Sequence, residues 1–537
     1  MSSGNAADSR PCTKPLTSVA ELRAWQPGTD DWNKASEQFK PRYRQGQEPN
    51  EPLLMHCHDA GHYDEYFDKY PGGAQKSDVY NFHFWQYVDT FVYFGHDRIM
   101  IPPPGWTNTA HRHGVTVLGN FIVEPEGNPP EPTVGKAELK EILDNQNLYI
   151  NKFVAIADYY GFDGWFFNIE VGVDQPESLQ NFFAVLKHSL AKQHSHRLVI
   201  FYNNQKHLDS SNLPYLENSS GLFLDYGWAN NSLRESVRIA NPKTHTLYAG
   251  IDVWKDIAAG RSGEGFDTYK KVKEAVEAGA SIGLFAAKWT LEKRNQNGNP
   301  ATFEECENQL WIGKADNHCT NTQCISQFIS ERPLPYQLPF VTNFNQGKGT
   351  KRFSNGQLGK EGEWCNMGEQ SLQPTWRFCQ AAGDEGTFKA SFSYEQAFNG
   401  GTSLEIQCAN TTEDKHSFFK LFKTNYLLEK PLSASYTLLN ANSEQSPQLC
   451  LVLLLDDRTA LFLTNSDPSK VQNMRMGDEY KPMYIQPSSS ANANSWETRT
   501  YLLDNTYVGR TVKEIWLLAY TPSPTRSSVF LGEITLS

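Results

Sequence analysis

Asn168 and Glu170 stand two positions apart at the end of an apolar run, GFDGWFFNIE, from Gly161 to Glu170. Side chains alternate along a strand. Trp165, Phe167 and Ile169 then share one face, and Phe166, Asn168 and Glu170 share the other. An amide and a carboxyl would lie side by side at the strand's C-terminal end. The carboxyl is a proton donor and acceptor, and the amide can orient a polar group beside it. A strand-end carboxylate can also cap a helix or pair with arginine, so the elements around the pair must decide its use.

Those elements repeat. Eight short apolar segments are spaced through residues 53–286: LLMHCH (53–58), TFVYF (90–94), TVLGNFI (116–122), GWFFNI (164–169), RLVIFY (197–202), GLFLDY (221–226), TLYAGIDV (246–253) and SIGLFA (281–286). Helical stretches separate them, among them 136–160, 177–193 and 266–280. In the first, Leu139, Ile142, Leu148, Ile150, Phe153, Ile156 and Ala157 form an apolar stripe of roughly helical period. Strands alternating with helices predict a parallel sheet, and eight of them predict an α/β fold of the (β/α)8 TIM-barrel type. No glycine-rich phosphate loop follows any strand, which weighs against an open doubly wound sheet. Beyond about residue 340 the helical period fades, and alternating stretches such as GTSLEIQCA (401–409) and SSVFLGEITL (527–536) predict a C-terminal all-β sandwich, jelly-roll-like. The expected organisation is a disordered lead over 1–18, a barrel over 19–340 and a sandwich over 341–537.

Barrel enzymes gather their chemistry at the C-terminal ends of the strands. The polar residues expected there include His58, Asp59, Tyr93, His96, Asn120, Glu124, Asn168, Glu170, Tyr202, Asn203, Asn204, Asp225, Trp228, Asp252, Trp254, Trp289 and Glu292. Carboxylates mixed with aromatics point to sugar chemistry. Ordinary glycosidases use two carboxylates. One carboxylate beside an amide fits the substrate-assisted variant, in which a sugar's 2-acetamido oxygen attacks its own anomeric carbon. Asn168 would orient the acetamide, Glu170 would act as acid and then base, and Tyr202 would support the acetamide from the other side.

DGWFFNIE (163–170) has the outline of the chitinase signature of glycoside hydrolase family 18. Phe166 and Asn168, however, stand where that pattern wants aspartates. The chain more broadly resembles glycoside hydrolase family 85, the endo-β-N-acetylglucosaminidases. The likeness rests on HDAGHYDEYF (58–67), residues 87–124, YYGFDGWFFNIE (159–170), FLDYGW (223–228), GIDVW (250–254) and LFAAKWTLE (284–292). It implies cleavage of the GlcNAc-β1,4-GlcNAc bond in N-glycan cores, through an oxazolinium intermediate that a sugar hydroxyl can also trap. It also implies catalytic roles for Asn168, Glu170 and Tyr202 and a sugar-pocket wall at Trp254. Trp228, Trp289, Tyr93, His96, Asn120, Glu124 and Asp252 complete the expected substrate contacts. The chain departs from the family's pattern at Asn203, where aspartate is common, at Asp225, where asparagine is common, and at Pro125, where an aromatic is common. These departures bear on glycan preference. The rival readings are a chitinase-like hydrolase and a non-catalytic glycan-binding protein.

Net charge is −12, from 49 basic and 61 acidic residues, which argues against nucleic acid or an anionic membrane as partner. No apolar run reaches the length of a membrane span. The nine cysteines are odd in number and follow no apolar leader, which suggests a reducing, cytoplasmic compartment. His318, Cys319 and Cys324 lack a matching second half for a zinc site. The expectation is a monomer acting on N-glycans of glycoproteins or free oligosaccharides, with no cofactor and no metal.

Overall fold

The computed structural model describes residues 10–537, apart from short stretches at 29, 64–67, 126–132, 257–259, 294–301, 314–322, 378, 385, 411, 413, 440–445, 475 and 522. His318 and Cys319 lie outside the described residues. Eight parallel strands close into a barrel: β1 (Leu54–Asp59), β2 (Thr90–Phe94), β3 (Thr116–Val123), β4 (Gly164–Ile169), β5 (Leu198–Tyr202), β6 (Gly221–Leu224), β7 (Leu247–Asp252) and β8 (Ser281–Phe285). Each pairs with the next, and β8 returns to β1 through Leu54 beside Ile282. The eight apolar segments read from the sequence are these eight strands.

The outer surface of the barrel is sheathed by helices α1 (Pro104–Arg112), α2 (Thr133–Asp144), α3 (Gln146–Tyr160), α4 (Pro176–Gln193), α5 (Asn230–Ala240), α6 (Thr268–Ala278) and α7 (Phe303–Trp311). The stretch expected as one helix over 136–160 is two, interrupted at Asn145. Helix α3 ends at Gly161, whose φ of 81° is left-handed and suits a residue without a Cβ. Inside the barrel, Met55, Val92, Leu118, Phe166, Ile200, Phe223 and Tyr248 pack together. Phe223 fills the interior because β7 and β8 offer glycines there. A Cβ at Gly283 would stand 2.1 Å from its ring, and one at Gly250 2.7 Å from it.

The lead is ordered earlier than expected. Leu16 exchanges two backbone hydrogen bonds with Ile99, and the Thr13 amide bonds Lys69. A single apolar anchor, Leu16, carries no period that a sequence pattern could register.

The C-terminal region builds two large sheets beside a two-stranded one, Lys348–Ser354 with Gln357–Cys365. One runs in the order 388–393, 403–410, 525–536, 432–439, 496–503, 489–493, with Phe340–Thr342 pairing onto 525–536. The other runs 379–383, 415–427, 511–521, 448–455, 459–463, 481–485. Leu404, Ile406 and Leu531 of the first pack against Phe419, Leu451 and Leu517 of the second in one apolar core. All their pairings are antiparallel except that of 459–463 with 481–485.

Candidate active site

The barrel's alternation decides which strand-end residues meet. Cys57, Phe94, Phe166, Asn168, Tyr202, Phe223 and Phe285 point inward, and with His96, Glu124, Glu170 and Tyr226 they line a mouth cavity of about 130 Å³. The register sets Ile122 beside Asn168 and Val123 beside Ile169, so Glu124 and Glu170 end neighbouring strands. The Glu170 amide donates to the Val123 carbonyl at 2.8 Å, which fixes this end.

Asn168 is buried. Its Nδ2 donates to Glu170 Oε1 at 3.1 Å, and its Oδ1 is enclosed with no protein partner. An enclosed acceptor without a donor is costly, and a ligand N–H would relieve it. The Glu170 carboxyl is held above the ordinary glutamate range. Burial is the main cause; the hydrogen bond from Asn168 opposes it, and the charges of Glu124 and Asp225 add to it. Such a carboxyl stays protonated further toward neutral pH, as a general acid requires.

Around this pair each remaining carboxylate is engaged. Glu124 Oε1 lies 3.2 Å from His96 Nδ1, and Asp59 Oδ1 lies 3.7 Å from His96 Nε2. The hydrogen bond to Glu124 and the charges of Asp59 and Glu170 raise the His96 pKa, so the imidazolium is favoured beside them. Tyr202 is buried, and its hydroxyl is 2.6 Å from Asn204 Oδ1 and 3.0 Å from Asp225 Oδ1. Burial and the Asp225 charge push its pKa up, so it remains a neutral phenol.

A second cleft of about 230 Å³ shares His96 with the mouth and is lined by Asp59, Trp254, Lys288, Trp289 and Glu292. Asp252 Oδ1 accepts the Trp254 amide at 2.8 Å and so sets where β7 delivers that indole. Trp289 Nε1 donates to the Lys255 carbonyl at 2.9 Å, which fixes the ring as a wall.

Three expected contacts are placed elsewhere. Tyr93 is out of phase with the inward-facing Val92 and Phe94, so it points outward and donates to Asp68 at 2.8 Å. Trp228 follows the end of β6 and turns into the outer core, where Nε1 donates to the Gly250 carbonyl at 2.8 Å. Asn120 faces inward but lies below the mouth, its Nδ2 tied to the Gly95 carbonyl at 2.8 Å. His58, too, is outward, stacked on Tyr80 at 5.0 Å. Sequence reasoning set Phe166 on the Asn168 face but overlooked Cys57, Phe94, Phe223, Tyr226 and Phe285 in the mouth. Cys57, Phe94, Phe223 and Phe285 were available from strict alternation, whereas Tyr226 lies beyond its strand and gave no signal.

The family model for glycosyl hydrolase family 85 matches residues 63–352, more than half of the chain. The chain belongs to glycoside hydrolase family 85. Relatives in the family include the cytosolic endo-β-N-acetylglucosaminidase of Mus musculus, 31% identical over 74% of this chain and 53% of that protein. The human protein of the same name is 31% identical over 74% of this chain and 52% of that one. Cytosolic endo-β-N-acetylglucosaminidase 1 of Arabidopsis thaliana is 28% identical over 86% of this chain and 66% of its own length. The chain thus spans about half to two thirds of the length of these relatives. The glycoside hydrolase domain of Endo-D from Streptococcus pneumoniae superposes with a TM-score of 0.73 at 18% identity, covering 99% of this chain and 83% of that one. At that identity the likeness to this family 85 structure concerns the fold.

Proposed function

We propose that this chain is an endo-β-N-acetylglucosaminidase that cleaves the GlcNAc-β1,4-GlcNAc bond of N-glycan cores with retention, the substrate's own acetamide serving as nucleophile. The observation that carries this reading is the Asn168–Glu170 pair: a buried amide oxygen without a partner beside a half-buried carboxyl whose pKa burial raises. The acetamide N–H donates to Asn168 Oδ1, which turns the acetamide oxygen toward the anomeric carbon and offsets the positive charge that grows on nitrogen. That oxygen bonds to the anomeric carbon as the bond to the leaving oxygen breaks, and Glu170 delivers its proton to the leaving oxygen. The products of this step are an oxazolinium and a Glu170 carboxylate. Water then attacks the anomeric carbon from the vacated side while Glu170 takes its proton, and the acetamide is regenerated. A sugar hydroxyl in place of water gives transglycosylation. Tyr202, held as a phenol, faces the same cavity from β5.

The conventional double displacement needs a second, free carboxylate about 5 Å from the acid. Glu124 is engaged by His96 and Asp225 by Tyr202, which favours the substrate-assisted course. The names of the relatives support a cytoplasmic setting. So do the free thiols of Cys12, Cys57 and Cys450. Among the described residues no helix is long and apolar enough to cross a membrane.

The test is a mass measurement. A glycoprotein incubated with the protein is expected to lose its glycan down to one GlcNAc, and Glu170→Gln is expected to leave its mass unchanged. Cleavage of chitin oligomers with no action on glycoprotein would favour the chitinase-like reading. Binding without any change in mass would make the chain a glycan-binding protein.

A further inference from the structure

Three concavities follow one another across the C-terminal face of the barrel. The mouth holds Asn168 and Glu170, the cleft of about 230 Å³ joins it at His96, and a third cleft, of about 400 Å³, joins the second at Trp289. The two sugars of a bond cleaved by Glu170 must lie at the mouth. The third cleft is separated from Glu170 by the whole of the second, so a substrate that fills it does so with a more distant unit.

This outer cleft is built on fixed backbone. Beyond β7, Lys255 and Asp256 pair with Arg261 and Ser262 in a two-stranded ribbon. The chain then returns along β7, and the amides of Gly263, Glu264 and Gly265 donate to the carbonyls of Trp254, Asp252 and Val253 at 3.0, 2.8 and 3.0 Å. Gly265 has a left-handed φ of 57°, and a Cβ there would stand 3.1 Å from both the Trp289 ring and the Lys255 stem. Phe266 meets Trp289 edge-on, with ring centroids 4.9 Å apart. The Trp289 Nε1 is already given to the Lys255 carbonyl, so the two rings form an apolar wall. Polar recognition falls to the half-buried side chains of Lys255 and Glu264, which no hydrogen bond or ion pair engages among the described residues. With Asp256, Asp267 and Lys293 the cleft carries three carboxylates against two ammonium groups. That balance disfavours an anion. A neutral sugar finds donors and acceptors for its hydroxyls and aromatic rings for its C–H faces.

We propose that the outer cleft is a remote subsite that binds a neutral sugar unit of the glycan, beyond the two residues of the cleaved linkage. The proposal rests on the reading of the chain as an N-glycan hydrolase. The cleft touches no reacting atom, so it binds substrate and transition state alike, and its contribution falls on KM rather than kcat.

The test uses the full chain and the double variant Lys255→Met, Glu264→Ala. Methionine keeps an apolar stem against Trp289, and the Lys255 carbonyl that holds the indole is backbone. Two substrates are compared: a glycopeptide with an intact neutral N-glycan, and the same glycopeptide trimmed by exoglycosidases to the sugars next to the cleaved bond. The wild type is expected to prefer the intact glycan. In the double variant, KM for the intact glycan is expected to rise about five- to tenfold, the size of one or two lost hydrogen bonds, and the ratio of kcat/KM between the two substrates to fall toward one. Calorimetric titration of the same two glycans into Glu170→Gln, with and without the double substitution, is expected to show the same loss of affinity for the intact glycan. Equal treatment of the two glycans by the wild type, or a loss of equal size for both in the variant, overturns the proposal. If the wild type releases no glycan, the proposed function fails, and the titration still decides whether the outer cleft holds a sugar.

Discussion

At the scale of single residues, the mouth gathers negative charge around Glu170, the carboxyl that the proposed mechanism needs in its acid form. Glu124 ends the strand next to Glu170, and its charge adds to the burial that raises the Glu170 pKa. In the proposed mechanism the acid form works, so kcat/KM is expected to fall as pH rises through that pKa. Glu124→Gln removes one repulsion and makes Glu170 easier to ionise. The alkaline limb of the pH profile is therefore expected to move to lower pH, and a limb left in place would show that burial alone sets the acid. In the proposed mechanism Glu170 supplies the proton transfer, a contribution of about 10²–10⁴-fold.

At the scale of elements, the strand ends are held by buried polar ties. Asp163, just before β4, accepts from His111 at 2.7 Å, His196 at 2.9 Å and the Val117 amide at 2.7 Å, which locks α1 to β3 and β4. A less comfortable tie joins α7 to the short helix Trp289–Lys293. Thr290 donates to Glu307 Oε1, while the buried Oε2 has no partner. Burial pushes the Glu307 carboxyl up to about 8. A carboxyl whose folded pKa is raised binds more protons folded than unfolded, so it lowers stability as pH climbs from the ordinary glutamate range to about 8. Glu307→Gln keeps an oxygen for Thr290 and carries no charge. Thermal unfolding is expected to show it more stable than the wild type by a few kcal/mol at pH 8 and little changed near pH 4, about 1.4 kcal/mol accruing per pH unit between. Equal stabilities at both values would mean that Glu307 does not titrate in the folded protein.

At the scale of the whole molecule, the barrel and the C-terminal sheets are joined by buried polar contacts. Trp85 Nε1 donates to Gln370 Oε1 at 2.7 Å, the Gln373 amide donates to His113 Nε2 at 3.0 Å, and Arg377 pairs with Glu304 at 3.0 Å. Much of this architecture was legible in the sequence, because eight apolar runs with helical spacers admit few topologies. The Asn168–Glu170 face was legible too, since a period of two leaves no choice of side. Tyr93 and Trp228 were misplaced where polar character was read without phase. The contact of Asn204 with the Tyr202 hydroxyl was hidden, because it depends on a left-handed turn that no local pattern announces. In the proposed mechanism the substrate's acetamide, oriented by Asn168, replaces a protein nucleophile. The most direct test is Asn168→Ala given two donors, an intact N-glycan and the same glycan supplied as a preformed sugar oxazoline. Hydrolysis of the intact glycan is expected to be lost while transfer from the oxazoline persists. Hydrolysis at the wild-type rate, or a glycan trapped covalently on Glu124 or Asp225, would contradict that mechanism.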